Sequence, residues 1–153
     1  MSEKLIRLAV YGTLMKGERN EHWGADARSR VPCMIRGVLY DTGWGYPAFV
    51  PDEHSRDVAA ELLDVTPETL ARIDVLEGYP RLYVRETVPA TLAEGSVVQA
   101  MVYVMKKLPE RARVIESGRF ICKIRRLLET IENPIELSHR LQFLIHQKTK
   151  EKL

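Results

Sequence analysis

Glu77 is the residue whose position asks for a chemical explanation. At about 100° of turn per residue, Leu70, Ile73 and Glu77 share one helix face, so the carboxylate stands in register with two core residues. It also falls in the last turn, just before Gly78, where the negative end of the helix dipole disfavours an anion by about 0.3–1 kcal/mol. Burial on the apolar face penalises the ionised form further. Both effects raise the pKa toward neutrality, the range in which a general acid/base works best. The spacing equally admits a plainer arrangement, in which the helix end frays and the carboxylate turns out to water. A second stretch bears on the choice. The apolar run Leu5–Tyr11 stops at Gly12-Thr13, and a polar segment follows. Gly12 lets backbone approach a ligand closely, successive N–H groups at a strand end bind an anion or a developing oxyanion, and Thr13 adds a hydroxyl. Most Gly-Thr pairs are simple turns. This one is not a P-loop, because GxxxxGK[ST] is absent and Lys16-Gly17 stands in the wrong order.

A helix over Thr66–Gly78 must carry the glutamate, and its punctuation is complete. Thr66 is a good N-cap, Pro67 suits the first helical position, Glu68 complements the dipole, and Gly78 is a natural stop. Around it the chain reads as short strands divided by Gly/Pro turns: Leu5–Tyr11, Cys33–Tyr40, Ala48–Val50, Asp57–Val65, Leu82–Val88 and Val97–Met105. In the last of these, Val98, Ala100, Val102 and Val104 alternate with Gln99, Met101, Tyr103 and Met105. The pattern predicts a mostly antiparallel sheet or small barrel filled out by helices. After residue 117 the period changes to helical. Ile121, Ile124, Leu127, Leu128 and Ile131 form one stripe, and Leu137, Leu141, Leu144 and Ile145 a second that starts from Asn133-Pro134. The expected organisation is therefore a β-rich body over 1–118 and a helical hairpin over 119–153. The hairpin's stripes are apolar enough to pack on the barrel, on each other, or on a second copy as a homodimer.

With 153 residues, 45% hydrophobic and 29% charged, the chain has the makings of one soluble globular domain. No apolar run approaches the ~20 residues of a membrane helix, and the start is too short and charged for a signal peptide, so a cytoplasmic location is expected. Cys33 and Cys122 stand in no ligand pattern and read as free buried thiols; His139 and His146 read as a solvated pair, so no metal is expected. The net charge of +2 conceals a tail, residues 119–153, with eight Lys/Arg against four Asp/Glu, too mild an excess to indicate nucleic acid.

Four stretches together resemble a known family. "VYGTLMKGERN" is similar to the opening Tyr-Gly-Ser/Thr-Leu loop of the gamma-glutamylcyclotransferase superfamily, and "GVLYDTGWGYPAFVP", residues 37–51, to its second signature. "IDVLEGYPRLYVRETV", residues 73–88, resembles the third, and "YVMKKL" with "VIESG", residues 103–118, the closing strand and turn. The resemblance implies a compact α+β fold, a small mixed or antiparallel β-barrel with flanking helices and a cavity at one end; the C-terminal helical extension lies beyond it. It also implies an intramolecular acyl transfer, in which the α-amine of a γ-glutamyl group attacks its own γ-carbonyl, forming 5-oxoproline and releasing an amine or amino acid. By position, Glu77 would be the general acid/base. Tyr11, Gly12, Thr13 and Leu14 would hold the small-molecule substrate, and Tyr83 and Tyr103 would line the pocket. Core packing with the hydroxyl at the surface fits those two tyrosines about as well. The chemistry needs no cofactor, since ring closure is already intramolecular. The family's Ser-Gly-Asp-aromatic turn here reads Ser117-Gly118-Arg119-Phe120, without the aspartate.

The rival to an enzyme is a non-catalytic module of the same fold that keeps the cradle and binds a small ligand or partner. A nucleic-acid adaptor is the weakest reading, because interleaved aromatics and any RNA- or DNA-binding motif are lacking.

Overall fold

The computed structural model describes residues 4–122 of the chain. Its strands are β1 (Ile6–Val10), β2 (Ser29–Asp41), β3 (Pro47–Pro51), β4 (Arg56–Val65), β5 (Tyr83–Leu92), β6 (Val97–Met105) and the short β7 (Arg113–Val114). One α-helix, α1 (Pro67–Glu77), links β4 to β5, and a single 3-10 turn covers Glu21–Gly24.

The strands close on themselves. Hydrogen-bonded neighbours run β2-β4-β1-β6-β5, and β5 returns to β2, giving a five-stranded barrel. β2 makes closure possible because it is 13 residues long and uses both edges. Ser29 to Gly37 pair with Asp64 to Arg56 on one side, while Cys33, Met34 and Ile35 pair with Leu92, Thr91 and Ala90 on the other. β3 and β7 are annexed to the far end of β2, through Gly37↔Pro51 to Asp41↔Pro47 and Tyr40↔Val114. All pairings are antiparallel except β1 with β6, where Leu8 meets Met101 and Ala9 meets Val102. Two strands extend further than their apolar runs. β2 starts at Ser29 and β5 continues to Leu92, each passing through a proline, Pro32 and Pro89, opposite Glu61 and Gln99.

Leu70 and Ile73 of α1 join Leu8, Val10, Leu63, Val65, Tyr83, Tyr103 and Met105 in one buried cluster. Alternation along the strands places Ala9, Ala100 and Val102 on the opposite face, where they are also buried. This explains why β6 departs from simple alternation. Tyr103 and Met105 lie on the face that α1 covers, so both faces of the strand's end are withdrawn from water. Each fully buried Leu or Ile contributes about 1.5–3 kcal/mol, and this cluster ties the helix to the barrel.

The expected helical hairpin, its two stripes and any homodimer through them lie outside the described residues. Within them, Cys33 is buried and Cys122 half-buried, both unpaired. Burial, with Glu61 nearby, pushes the Cys33 thiol up to about 11. Among the described residues no helix is long and apolar enough to cross a membrane, and no group of three or more His, Cys, Asp or Glu is placed to hold a metal.

Candidate functional site

Capping fixes where Glu77 stands. The Thr66 hydroxyl accepts from the Thr69 N–H at 3.2 Å, and Pro67 occupies the first turn. At the other end Gly78 adopts the left-handed conformation, φ 66° and ψ 33°, which glycine takes without a Cβ clash. The Gly78 N–H donates to the Val75 carbonyl at 3.2 Å and the Tyr79 N–H to that of Asp74 at 2.9 Å. These bonds close the last turn, so the helix end does not fray and Glu77 stays on the face that Ile73 buries.

That face opens on a cavity lined by Ala9, Val10, Tyr11, Gly12, Thr13, Leu14, Tyr46, Pro47, Glu77, Tyr83 and Tyr103. The void measures about 330 Å³, its open mouth included. All seven residues singled out from the sequence therefore meet at one place. Tyr46 and Pro47, at the start of β3, were not singled out. The signal for them was an aromatic-proline pair closing the glycine-rich turn Gly43-Trp44-Gly45.

The loop after β1 is held from outside the cavity. The Met15 N–H donates to the Gly12 carbonyl at 3.0 Å and the Asn20 N–H to that of Thr13 at 2.9 Å. Asn20 Nδ2 donates to the Thr13 hydroxyl at 3.0 Å. Arg30 Nη1 donates to the Leu14 carbonyl at 3.0 Å and to Glu61 Oε1 at 2.6 Å, and that carboxylate also receives the Lys16 N–H at 2.8 Å. Gly12 is required by a close approach. A Cβ there would lie 2.7 and 2.8 Å from Cγ and Cδ of Pro47. The two loops on either side of the cavity thus touch through the one residue that has no side chain.

The tyrosine hydroxyls point inward to protein acceptors rather than to the surface, which corrects the surface alternative for Tyr83 and Tyr103. Tyr11 Oη donates to the Tyr103 carbonyl at 2.7 Å, Tyr83 Oη to the Pro47 carbonyl at 2.8 Å, and Tyr103 Oη to Asp74 Oδ1 at 2.7 Å. Burial leads the causes that raise all three phenol pKa values, with the Glu77 carboxylate contributing in each case. They remain protonated, and each proton is already committed. Asp74 has a second neighbour, Arg85 Nε at 3.6 Å, whose guanidinium lies over the Tyr79 ring at 4.2 Å. Neither Asp74 nor Arg85 stood out in the sequence.

Glu77 itself has no hydrogen-bond donor among the described residues. Burial alone pushes its carboxyl up from 4.5 to about 7. A carboxyl so placed is close to evenly divided between its two protonation states at neutral pH. The Ser117-Gly118 turn, where the family's aspartate is missing, docks against β4 through the Ala59 N–H to the Gly118 carbonyl at 2.8 Å. It forms no part of the cavity wall.

Comparison with known proteins gives a consistent result. A family model described as "Gamma-glutamyl cyclotransferase, AIG2-like" matches residues 8–121. The gamma-L-glutamyl-butirosin B gamma-glutamyl cyclotransferase of Niallia circulans is 46% identical over 74 residues, 47% of this chain and 46% of that enzyme. The gamma-glutamylcyclotransferase family protein YtfP of Escherichia coli K12 is 29% identical over 117 residues, 76% of this chain and 96% of that protein. The crystal structure of an AIG2-like protein from Mus musculus superposes with a TM-score of 0.62 over 71% of this chain and 82% of that one; at 22% identity it bears on the fold alone. The barrel, the four stretches on which the resemblance rests and the matched span of 8–121 agree: the chain belongs to the gamma-glutamyl cyclotransferase, AIG2-like family.

Proposed function

We propose that the protein is a cyclotransferase that converts a γ-glutamyl amide into 5-oxoproline and a free amine or amino acid, with Glu77 as its acid/base. The observation that carries this reading is the Glu77 carboxyl, which burial holds at a pKa of about 7 against the cavity wall. The substrate's α-ammonium meets an ionised Glu77 and gives it a proton. The freed nitrogen attacks the γ-carbonyl carbon, and the carbonyl electrons pass to oxygen. Glu77 then protonates the departing nitrogen, the C–N bond breaks and the carbonyl re-forms. Two protons leave the attacking nitrogen and two arrive at the departing one. One carboxyl cycling between its forms carries both in turn.

The surroundings favour the same assignment. Phenols whose protons are committed elsewhere offer a ligand only oxygen lone pairs, which suits an ammonium near Glu77. Gly12, Thr13 and Leu14 line the cavity, and their N–H groups, which donate in none of the loop's turn bonds, are the natural donors to the oxyanion. Attack within one molecule gains from its prepaid proximity. Incubation with a panel of γ-glutamyl dipeptides and γ-glutamyl amines should release 5-oxoproline without added nucleotide or metal. Ligand binding without product from any member would instead make the protein a binding module of the same fold.

A further inference from the structure

The turn between β2 and β3 carries a second cluster, outside the catalytic cavity. Tyr46 lines the cavity and packs on Tyr83 with ring centroids 6.5 Å apart; Trp44 follows, 6.1 Å from Tyr46 and 46% exposed. The Arg111 guanidinium lies over the Trp44 ring at 5.4 Å. Arg19 reaches the same turn from the β1 loop, its Nη1 3.4 Å from where a Cβ on Gly45 would be. An aromatic path thus leads from the cavity wall outward to two guanidinium groups.

Five of the described arginines, Arg30, Arg36, Arg56, Arg72 and Arg85, have a carboxylate partner. Arg19 and Arg111 pair with no described carboxylate, as is true of Arg7, Arg81, Arg113 and Arg119. What sets these two apart is that both lie against the turn that leads out from the cavity wall. The turn that presents them is preorganised. Thr42, fully buried, donates its hydroxyl to the Tyr46 carbonyl at 2.6 Å and accepts the Trp44 N–H at 3.2 Å, while the Gly43 N–H donates to Asp41 Oδ1 at 2.8 Å. A guanidinium held over an indole face by its charge spends none of its N–H groups on that contact and keeps them for a bidentate anion.

We propose that Arg111 and Arg19 select substrates whose departing group bears a carboxylate, so that γ-glutamyl amino acids are preferred over γ-glutamyl amines. This rests on the cyclotransferase reading. With the γ-glutamyl head at Glu77 and the Gly12 loop, the departing group leaves through the mouth beside Tyr46. Its side chain meets Trp44, and its carboxylate meets the two guanidinium groups. Those groups are exposed, so the preference weakens as salt screens it.

The test uses the full chain carrying Glu77→Gln, which holds substrate without turning it over. Calorimetry compares γ-glutamyl-alanine with γ-glutamyl-ethylamide, which differ only by the carboxylate. The acid should bind at least about tenfold tighter at low salt, the lower end for one charge-assisted contact. Adding Arg111→Ala with Arg19→Ala should bring the ratio close to one, and Arg111→Lys should restore part of it. Equal affinities, no binding of either ligand, or a ratio indifferent to the arginines would overturn the assignment. Turnover of γ-glutamyl-alanine by the unsubstituted protein is a separate readout. Its absence alongside a preserved binding ratio would sink the cyclotransferase reading and leave the carboxylate subsite standing.

Discussion

Replacing Glu77 with glutamine should stabilise the protein above neutral pH and leave it nearly unchanged in acid. The folded carboxyl titrates at about 7 against 4.5 as its ordinary value. Between those two pH values the folded chain holds a proton that the unfolded chain has released. Stability of the natural protein therefore falls as pH rises across this window. At about 1.36 kcal/mol per pH unit the loss amounts to about 3 kcal/mol. That is a ceiling, because the cavity opens to solvent, and about 2 kcal/mol is the working expectation. Glutamine keeps the shape and does not titrate, so the variant escapes the loss. The assay is urea unfolding of both proteins at several values from about pH 4.5 to about pH 8.5. The difference in unfolding free energy should grow steadily in the variant's favour and level off above neutrality. A difference that stays flat with pH, or that grows against the variant, would refute the burial argument and with it the physical basis for choosing Glu77.

Three other outcomes follow from the same geometry. The acid limb of kcat/KM should rise with an apparent pKa near 7, set by ionisation of Glu77; a limb near 4.5 would assign the base elsewhere. Gly12→Ala should cost about 1–3 kcal/mol in thermal or urea unfolding and raise KM, because its Cβ would sit 2.7 Å from the Pro47 ring. Asp74→Ala should cost about 1–3 kcal/mol by leaving the Tyr103 hydroxyl without its acceptor and Arg85 without its ion-pair partner, with Asp74→Asn recovering most of it; equal losses in the two variants would mean that charge, rather than the hydrogen bond, holds Tyr103.

Local order was the legible part of this chain. Thr66, Pro67 and Gly78 bracket α1 in the sequence, and the structure places the N-cap and the left-handed glycine at those residues. The spacing of Leu70, Ile73 and Glu77 placed the glutamate on the buried face because helical period is a property of neighbours. Which strands meet was less legible. The parallel contact of β1 with β6 joins residues 93 positions apart, as Leu8↔Met101, and no local pattern encodes it. β2 and β5 outran their apolar runs because Pro32 and Pro89 fall just beyond the segment in which the two strands pair with each other, where one side of the strand is locally unpaired and a residue without an N–H is tolerated. Tyr46 escaped notice for a related reason, since its role depends on where β3 docks. Asp74 and Arg85 act at one remove, through Tyr103 and Tyr79, and such dependence shows only in three dimensions.

The way the barrel closes also sets when, during synthesis, the Glu77 cavity is complete. The cavity draws on residues 9–14, 46–47, 77, 83 and 103, and the strand carrying Tyr103 is the last of the barrel's five in chain order, paired with the first. A chain emerging from the ribosome would pass Glu77 well before the wall that desolvates it. Until then the side chain is an ordinary, fully ionised surface glutamate with no useful proton affinity. On the proposed function, nascent or truncated chains ending before β6 would be chemically silent, and the acid/base would arise with the β1–β6 contact, the strand pairing of greatest sequence separation among the described residues and so of greatest loop-closure entropy.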